Sequence, residues 1–132
     1  MIPFVDTYAF IAWLNSRDSD HARVKAYFDS TTVKLLTTEW VLLELADALA
    51  APPGRSIAAQ FLSAIRDDPQ FEIVPYESDV FDAGFAIYVA RSDKAWSLTD
   101  CISFAVMTER GLTDALTGDH HFEQAGFKAI FK

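Results

Sequence analysis

Ile2-Pro3-Phe4-Val5-Asp6-Thr7 stands at the start of the chain, and its reading decides the fold. The run from Ile2 to Val5 is apolar without alternation, the pattern of a short strand buried on both faces of a parallel sheet. It ends on a carboxylate, and the pattern then changes. Thr7 to Leu14 reads as a helix carrying Tyr8, Phe10, Ile11, Trp13 and Leu14. A strand that passes to a helix through one acid is the opening of an α/β unit.

The same alternation continues outward. Asp18-Ser19-Asp20 is a polar break suited to capping a second helix, with Val24, Tyr27 and Phe28 on one face. Val33 to Thr37 reads as a second strand, and Thr38 or Glu39 to Ala50 as a third helix stopped by Pro52-Pro53-Gly54. Ile57, Phe61, Leu62 and Ile65 form a helical stripe that ends near Asp68-Pro69. Phe71 to Val74 is a third strand, and Val80, Gly84, Ile87 and Arg91 mark a further helix face. Leu98 to Arg110 is apolar on most sides, as a sandwiched helix would be, with Gly111 placed as its C-cap. Leu112 to Thr117 and Ala129 to Phe131 read as the last strands. Strands alternating with helices predict a parallel sheet covered on both faces, joined by right-handed crossovers. No repeat or long linker divides the chain, so residues 1–132 are expected to form one domain.

Composition narrows the function classes. Half of the residues are hydrophobic, enough for a full core, so disorder is not expected. No apolar run approaches the length of a membrane span, and the first residues lack the features of a signal peptide, which together predict a cytoplasmic protein. The single cysteine, Cys101, lies in an apolar helical pattern and is expected to be a buried packing residue. A net charge of −8 argues against binding nucleic acid through a broad basic surface. It is compatible with a nuclease whose acids are balanced by metal, and with a partner that brings a basic or apolar segment.

Four acids end apolar runs: Asp6, Glu44 in Leu42-Leu43-Glu44-Leu45, Asp100 in Ser97-Leu98-Thr99-Asp100, and Asp119 in Leu116-Thr117-Gly118-Asp119. Strand ends and helix starts of an α/β fold converge on one edge of the sheet. Carboxylates gathered there repel one another and lose hydration unless a cation sits among them. Oxygen donors of this kind suit Mg²⁺ or Mn²⁺. Each acid also has a local reading. Asp6 is placed to cap a helix, Glu44 shares a helix side with Asp47, Ser97-x-x-Asp100 has capping-box spacing, and Asp119 suits a turn. His21, His120, His121 and Cys101 are too few and too badly spaced for a zinc site. Arg91, Lys94 and Trp96 stand where they would steady a phosphate and stack a base, or else form a solvated loop with one packed Trp.

Taken together, the ordered segments resemble the PIN-domain family. The resemblance is carried by Phe4-Val5-Asp6-Thr7, by Thr37-Thr38 with Glu44-Leu45-Ala46-Asp47-Ala48-Leu49, and by Ser97-Leu98-Thr99-Asp100-Cys101-Ile102-Ser103-Phe104. It closes with Leu116-Thr117-Gly118-Asp119-His120-His121-Phe122 and Ala125-Gly126-Phe127. It spans nearly the whole chain, and the length is similar to that of VapC-type toxins of toxin–antitoxin pairs. It implies a three-layer α/β/α sandwich with a central, mainly parallel sheet. It also implies Mg²⁺- or Mn²⁺-dependent endoribonuclease activity on RNA, frequent homodimerisation, and a small antitoxin that covers the active site. By position, Asp6, Glu44, Asp100 and Asp119 match the family's catalytic and metal-binding acids. Thr7, Thr99, Ser103 and Thr117 match its supporting hydroxyl residues.

Other α/β classes fit less well. A haloacid-dehalogenase-type phosphatase needs a second Asp where Tyr8 stands, and Asp6-Thr7-Tyr8-Ala9 has no Gly-rich nucleotide turn. A receiver domain would want an acid pair by the first strand and a phosphoacceptor Asp after the third, where Phe71 to Pro75 offers none. The remaining alternative is a PIN-like domain that binds RNA or protein without cleaving. Trp13, Trp40, Phe61, Phe81 and Phe85 are many large apolar groups for a chain of this length, so some are expected to form an exposed partner surface. That expectation comprises a homodimer contact and a groove for an apolar helix with a basic residue.

Overall fold

The computed structural model describes residues 2–132. Five strands are β1 (Phe4–Val5), β2 (Leu35–Thr38), β3 (Phe71–Val74), β4 (Asp114–Leu116) and β5 (Lys128–Ala129). The helices are α1 (Thr7–Leu14), α2 (His21–Ser30), α3 (Glu39–Ala48), α4 (Gly54–Ile65), α5 (Ser78–Ala90), α6 (Leu98–Arg110) and α7 (His120–Gln124). The strands form one sheet in the order β3-β2-β1-β4-β5, and every neighbouring pair is parallel. The architecture is the expected three-layer α/β/α sandwich.

Sheet order places the site. The chain steps from β1 to β2 to β3 on one side, then crosses back to lay β4 against the other side of β1. Loops leaving β1 and β4 therefore part at their carboxyl ends, and a crevice opens there. The strands are short, and those at the centre of the sheet are buried. Phe4, Val5, Leu35, Leu36, Ala115 and Leu116 are almost fully covered. Thr37 is buried as well, and its hydroxyl donates to the Val5 carbonyl (2.9 Å), fastening β2 to β1.

On α1, Phe10 and Trp13 face an aromatic cluster with Phe28, Phe61 and Phe71, with centroid separations of 4.1–6.5 Å. Of the five large apolar groups from which an exposed surface is expected, Trp13 and Phe61 are thus taken up in packing. Helix α6 is covered from Asp100 to Phe104 and again at Val106 and Met107, in keeping with its apolar sequence. Cys101 is buried there. Gly111 ends the helix in the left-handed region (φ 68°), as its place in the sequence predicts.

Differences from expectation lie at element ends. The first strand begins at Phe4 rather than Ile2, and the second runs from Leu35 to Thr38, because Val33 and Lys34 are solvated. The third helix stops at Ala48, and the fourth starts at Gly54, within the segment expected only to break the chain. The fourth strand is trimmed to Asp114–Leu116, and the last lies at Lys128–Ala129, shifted toward the N-terminus. The five-residue α7 is an element that the sequence pattern does not announce. His120-His121 masks its periodicity, and its start depends on Asp119, which accepts from the His121 N–H (2.9 Å).

Candidate active site

The four acids meet in one open cleft of about 370 Å³. Asp6 follows β1, Asp119 follows β4, Asp100 lies in the first turn of α6, and Glu44 projects from the middle of α3. None sits beside another in sequence, so only the sheet order and two helix placements gather them.

Asp6 holds the N-cap position of α1, yet its side chain does not cap the helix. Its Oδ2 instead accepts from the buried Thr117 hydroxyl (2.9 Å), and the same Thr117 oxygen accepts from the Asp119 N–H (3.0 Å). One threonine thereby ties the loops after β1 and β4 together. Burial pushes the Asp6 carboxyl up to about 8, against the Thr117 hydrogen bond and with help from the charges of Asp100 and Glu44.

Glu44 is half-buried, whereas Asp47 on the same helix is exposed. The local reading that puts both on the solvent face therefore holds for Asp47 alone. The Thr7 hydroxyl donates to Glu44 Oε1 (2.6 Å). Burial raises the Glu44 carboxyl, the Thr7 hydrogen bond opposes this, and the Asp100 charge adds to it.

Asp100 combines both of its sequence readings. Ser97 Oγ accepts from the Asp100 N–H (3.0 Å) while Asp100 Oδ2 accepts from the Ser97 N–H (3.1 Å), a complete capping box. The carboxyl nevertheless lines the cleft, and burial and the Asp119 charge raise it. Asp119 is more accessible than Asp6 and Asp100, at 31 % side-chain exposure.

Sequence reasoning misses one neighbour of these acids. His121 Nδ1 lies 3.3 Å from Asp100 Oδ2 and 3.4 Å from Asp119 Oδ1. Its signal is its place two residues after an acid at a strand end. Weighed only as a zinc ligand, it lacks soft companions and attracts no role. The ligand atoms of Asp119, His120 and His121 do lie within 4.8 Å of one another, but His120 is largely exposed. His21 turns its Nδ1 to the Ala12 carbonyl instead. Tyr8 also lines the cleft, its hydroxyl bonded to Asp20. Its ring occupies the space where a Gly118 Cβ would stand, 2.5 Å from the nearest ring carbon.

Trp96 is packed rather than available for stacking. It is 7 % exposed, its indole N–H donates to Gln124 Oε1 (3.0 Å), and its ring meets Phe104 edge-on. Arg91 lies over the Trp96 ring and pairs with Asp93.

Three raised carboxyls, no lysine or arginine within ion-pair reach of any of the four acids among the described residues, and hard oxygen donors together fit a divalent cation. The buried Ser103 hydroxyl, one helical turn after Asp100, has no hydrogen-bond partner and does not line the cleft.

The profile of the PIN domain matches residues 4–128. The 23S rRNA-specific endonuclease VapC20 of Mycobacterium tuberculosis is 30% identical over 127 residues, which span 96% of either chain. The crystal structure of VapC20, described as a sarcin-ricin loop cleaving toxin, superposes with a TM-score of 0.88 at 28% identity, covering 96% of this chain and 97% of that one. FitAcB from Neisseria gonorrhoeae superposes with a TM-score of 0.69 at 21% identity, covering 98% and 96% of the two chains, a likeness of fold.

Proposed function

The chain belongs to the PIN-domain family, and from that premise we propose that it is a divalent-metal-dependent endoribonuclease, the toxin of a toxin–antitoxin pair. The observation that carries this reading is the meeting of Asp6, Glu44, Asp100 and Asp119 in one cleft with, among the described residues, no lysine or arginine within ion-pair reach to balance them. Relationship to VapC20 makes RNA the substrate class and 23S rRNA the first substrate to test.

In this reading the four acids hold Mg²⁺ or Mn²⁺. When bound, such an ion supplies charge neutralisation at the scissile phosphate and Lewis-acid activation of the attacking water. The chain's residues set the geometry. Thr117 holds Asp6 and the Asp119 backbone, Thr7 holds Glu44, and Ser97 with His121 holds Asp100. The Asp6 carboxyl retains its proton below about pH 8 and gives it up once the surrounding charge is balanced. No side-chain nucleophile is needed, so the attacking group is water, and the products carry a 5′-phosphate and a 3′-hydroxyl.

We assign the whole of residues 1–132 to this one domain and place its activity in the cytoplasm, where its RNA is found. Its partners are a second copy of the chain and a small antitoxin. The test is cleavage of 23S rRNA by the purified chain in Mg²⁺ or Mn²⁺. We expect cutting that stops in EDTA and in Asp6→Asn, with 5′-phosphate ends. Cutting that persists in EDTA with 2′,3′-cyclic phosphate ends would refute the mechanism. Cation binding without any cutting would leave a PIN-like binding domain instead.

A further inference from the structure

His121 touches both C-terminal acids of the cleft, through two different groups. Its backbone N–H donates to Asp119 Oδ1 (2.9 Å). Its ring Nδ1 faces Asp100 Oδ2 (3.3 Å) in hydrogen-bonding geometry and lies 3.4 Å from Asp119 Oδ1. With carboxylate oxygens opposite, Nδ1 is the nitrogen that carries the hydrogen. The side chain is only 20 % exposed, and Phe122, fully buried beside it, anchors the short helix on which it sits.

These contacts divide the carboxylate oxygens unequally. Asp100 Oδ2 receives the Ser97 N–H and the His121 ring N–H, leaving Oδ1 for the cleft. Asp119 Oδ1 receives the His121 N–H, leaving Oδ2. A carboxylate bound from one side by fixed donors has lost its freedom to turn, and its free oxygen points one way. Among the described residues, no lysine or arginine comes within ion-pair reach of either acid.

We propose that His121 is a positioning residue of the acidic site, which orients Asp100 and Asp119 toward a divalent cation through its ring and backbone N–H groups without itself ligating the ion. This rests on the metal-centre reading above. Direct ligation through Nδ1 would require the ring to abandon Asp100, whereas ligation through Nε2 would keep that contact and is the alternative that the spin-echo measurement below separates. Outer partners of this kind typically change metal affinity about 10–100-fold when removed. Asparagine at this position tests the geometry, because its amide Nδ2 stands where the imidazole Nδ1 does and donates in the same direction. Leucine keeps comparable bulk and offers no donor.

The experiment is Mn²⁺ titration followed by electron paramagnetic resonance, on the full chain and on Asp6→Asn, His121→Ala, His121→Leu and His121→Asn. Electron spin echo modulation is recorded on the loaded wild type. We expect His121→Ala and His121→Leu to bind Mn²⁺ about 10–100-fold more weakly than wild type, and His121→Asn to recover to within about threefold. No directly coordinated ¹⁴N should appear in the modulation. Should His121→Ala fail to fold, the contrast between Leu and Asn carries the same test. Wild-type affinity in His121→Leu overturns the proposal, as does equal weakness of Leu and Asn, or a coordinated imidazole nitrogen. In each of those cases tight binding by wild type, lost in Asp6→Asn, leaves the metal-centre reading standing. Weak binding that is the same in wild type and Asp6→Asn overturns both.

Discussion

At the scale of the residue, Asp6 is the group whose chemistry the fold alters most. An Asp in an unfolded chain titrates near 4, and burial lifts this one to about 8. Between those values the native state keeps a proton that the unfolded state has lost. Stability from this group is therefore full below about pH 4, falls as pH rises through the window, and reaches its minimum above pH 8. Asp6→Asn removes the ionisation while keeping an oxygen for the Thr117 hydroxyl. The metal-free variant should melt several degrees higher than wild type at pH 8, and the gain should shrink toward zero at pH 4. Scanning calorimetry in EDTA measures it, and equal melting temperatures at pH 8 would contradict the buried-carboxylate account. The same proton competes with cations. Calorimetric Mn²⁺ affinity of wild type should accordingly rise with pH up to about 8 and then level off, with proton release on binding.

At the scale of the element, α6 carries Asp100, and its most extensive helix contact is with α5. Gly84 makes that contact possible. A methyl group there would stand 2.3 Å from Ile102 Cγ1 and 2.7–2.8 Å from the Ile102 Cα and N, and backbone atoms cannot step aside as a side-chain tip can. Gly84→Ala should therefore force α5 and α6 apart and destabilise the protein by about 1–3 kcal/mol. Urea denaturation provides the value, and a change under about 0.5 kcal/mol would show that the helices accommodate the methyl. Because Ile102 lies two residues from Asp100, weaker Mn²⁺ binding should accompany the loss. Gly118 is the counterpart on the β4 side, its bare backbone set against the Tyr8 ring.

At the scale of the whole molecule, the outer face of α5 is the surface least suited to water. Phe81, Phe85 and Tyr88 follow one another at helical spacing, with ring centroids 6.1 and 6.3 Å apart, and all three are exposed. Val89 continues the strip at 61 % exposure. An apolar row on an otherwise acidic chain favours a partner that offers the same surface, as a homodimer does. Light scattering at micromolar concentration should give a dimer for wild type. Phe85→Asp should shift it to monomer without changing Mn²⁺ affinity. A monomer at every concentration for wild type would remove the homodimer from the proposed function.

Periodicity by itself determines the class of this fold. Apolar runs without alternation mark buried parallel strands, stripes of 3.6 spacing mark the helices, and Gly111 and Ser97-x-x-Asp100 mark two ends of one of them. Those signals are local, so they survive in a single sequence. The capping box at Asp100 and the burial of Cys101 are legible for the same reason. Strand ends are not, because hydrogen bonds to neighbouring strands set them, and α7 is hidden because its cap and its core anchor lie in one short polar segment. The four acids stand out as acids that close apolar runs. That they gather at one sheet edge follows from the α/β class, but their mutual distances depend on β4 returning beside β1 on the side away from β2, and no residue encodes that alone. The raised Asp6 carboxyl, the link through Thr117 and the reach of His121 to two carboxylates all depend on distances across that crossing. Chain chemistry supplies the groups, and long-range packing alone gives them their mutual distances and burial, from which their electrostatics follow.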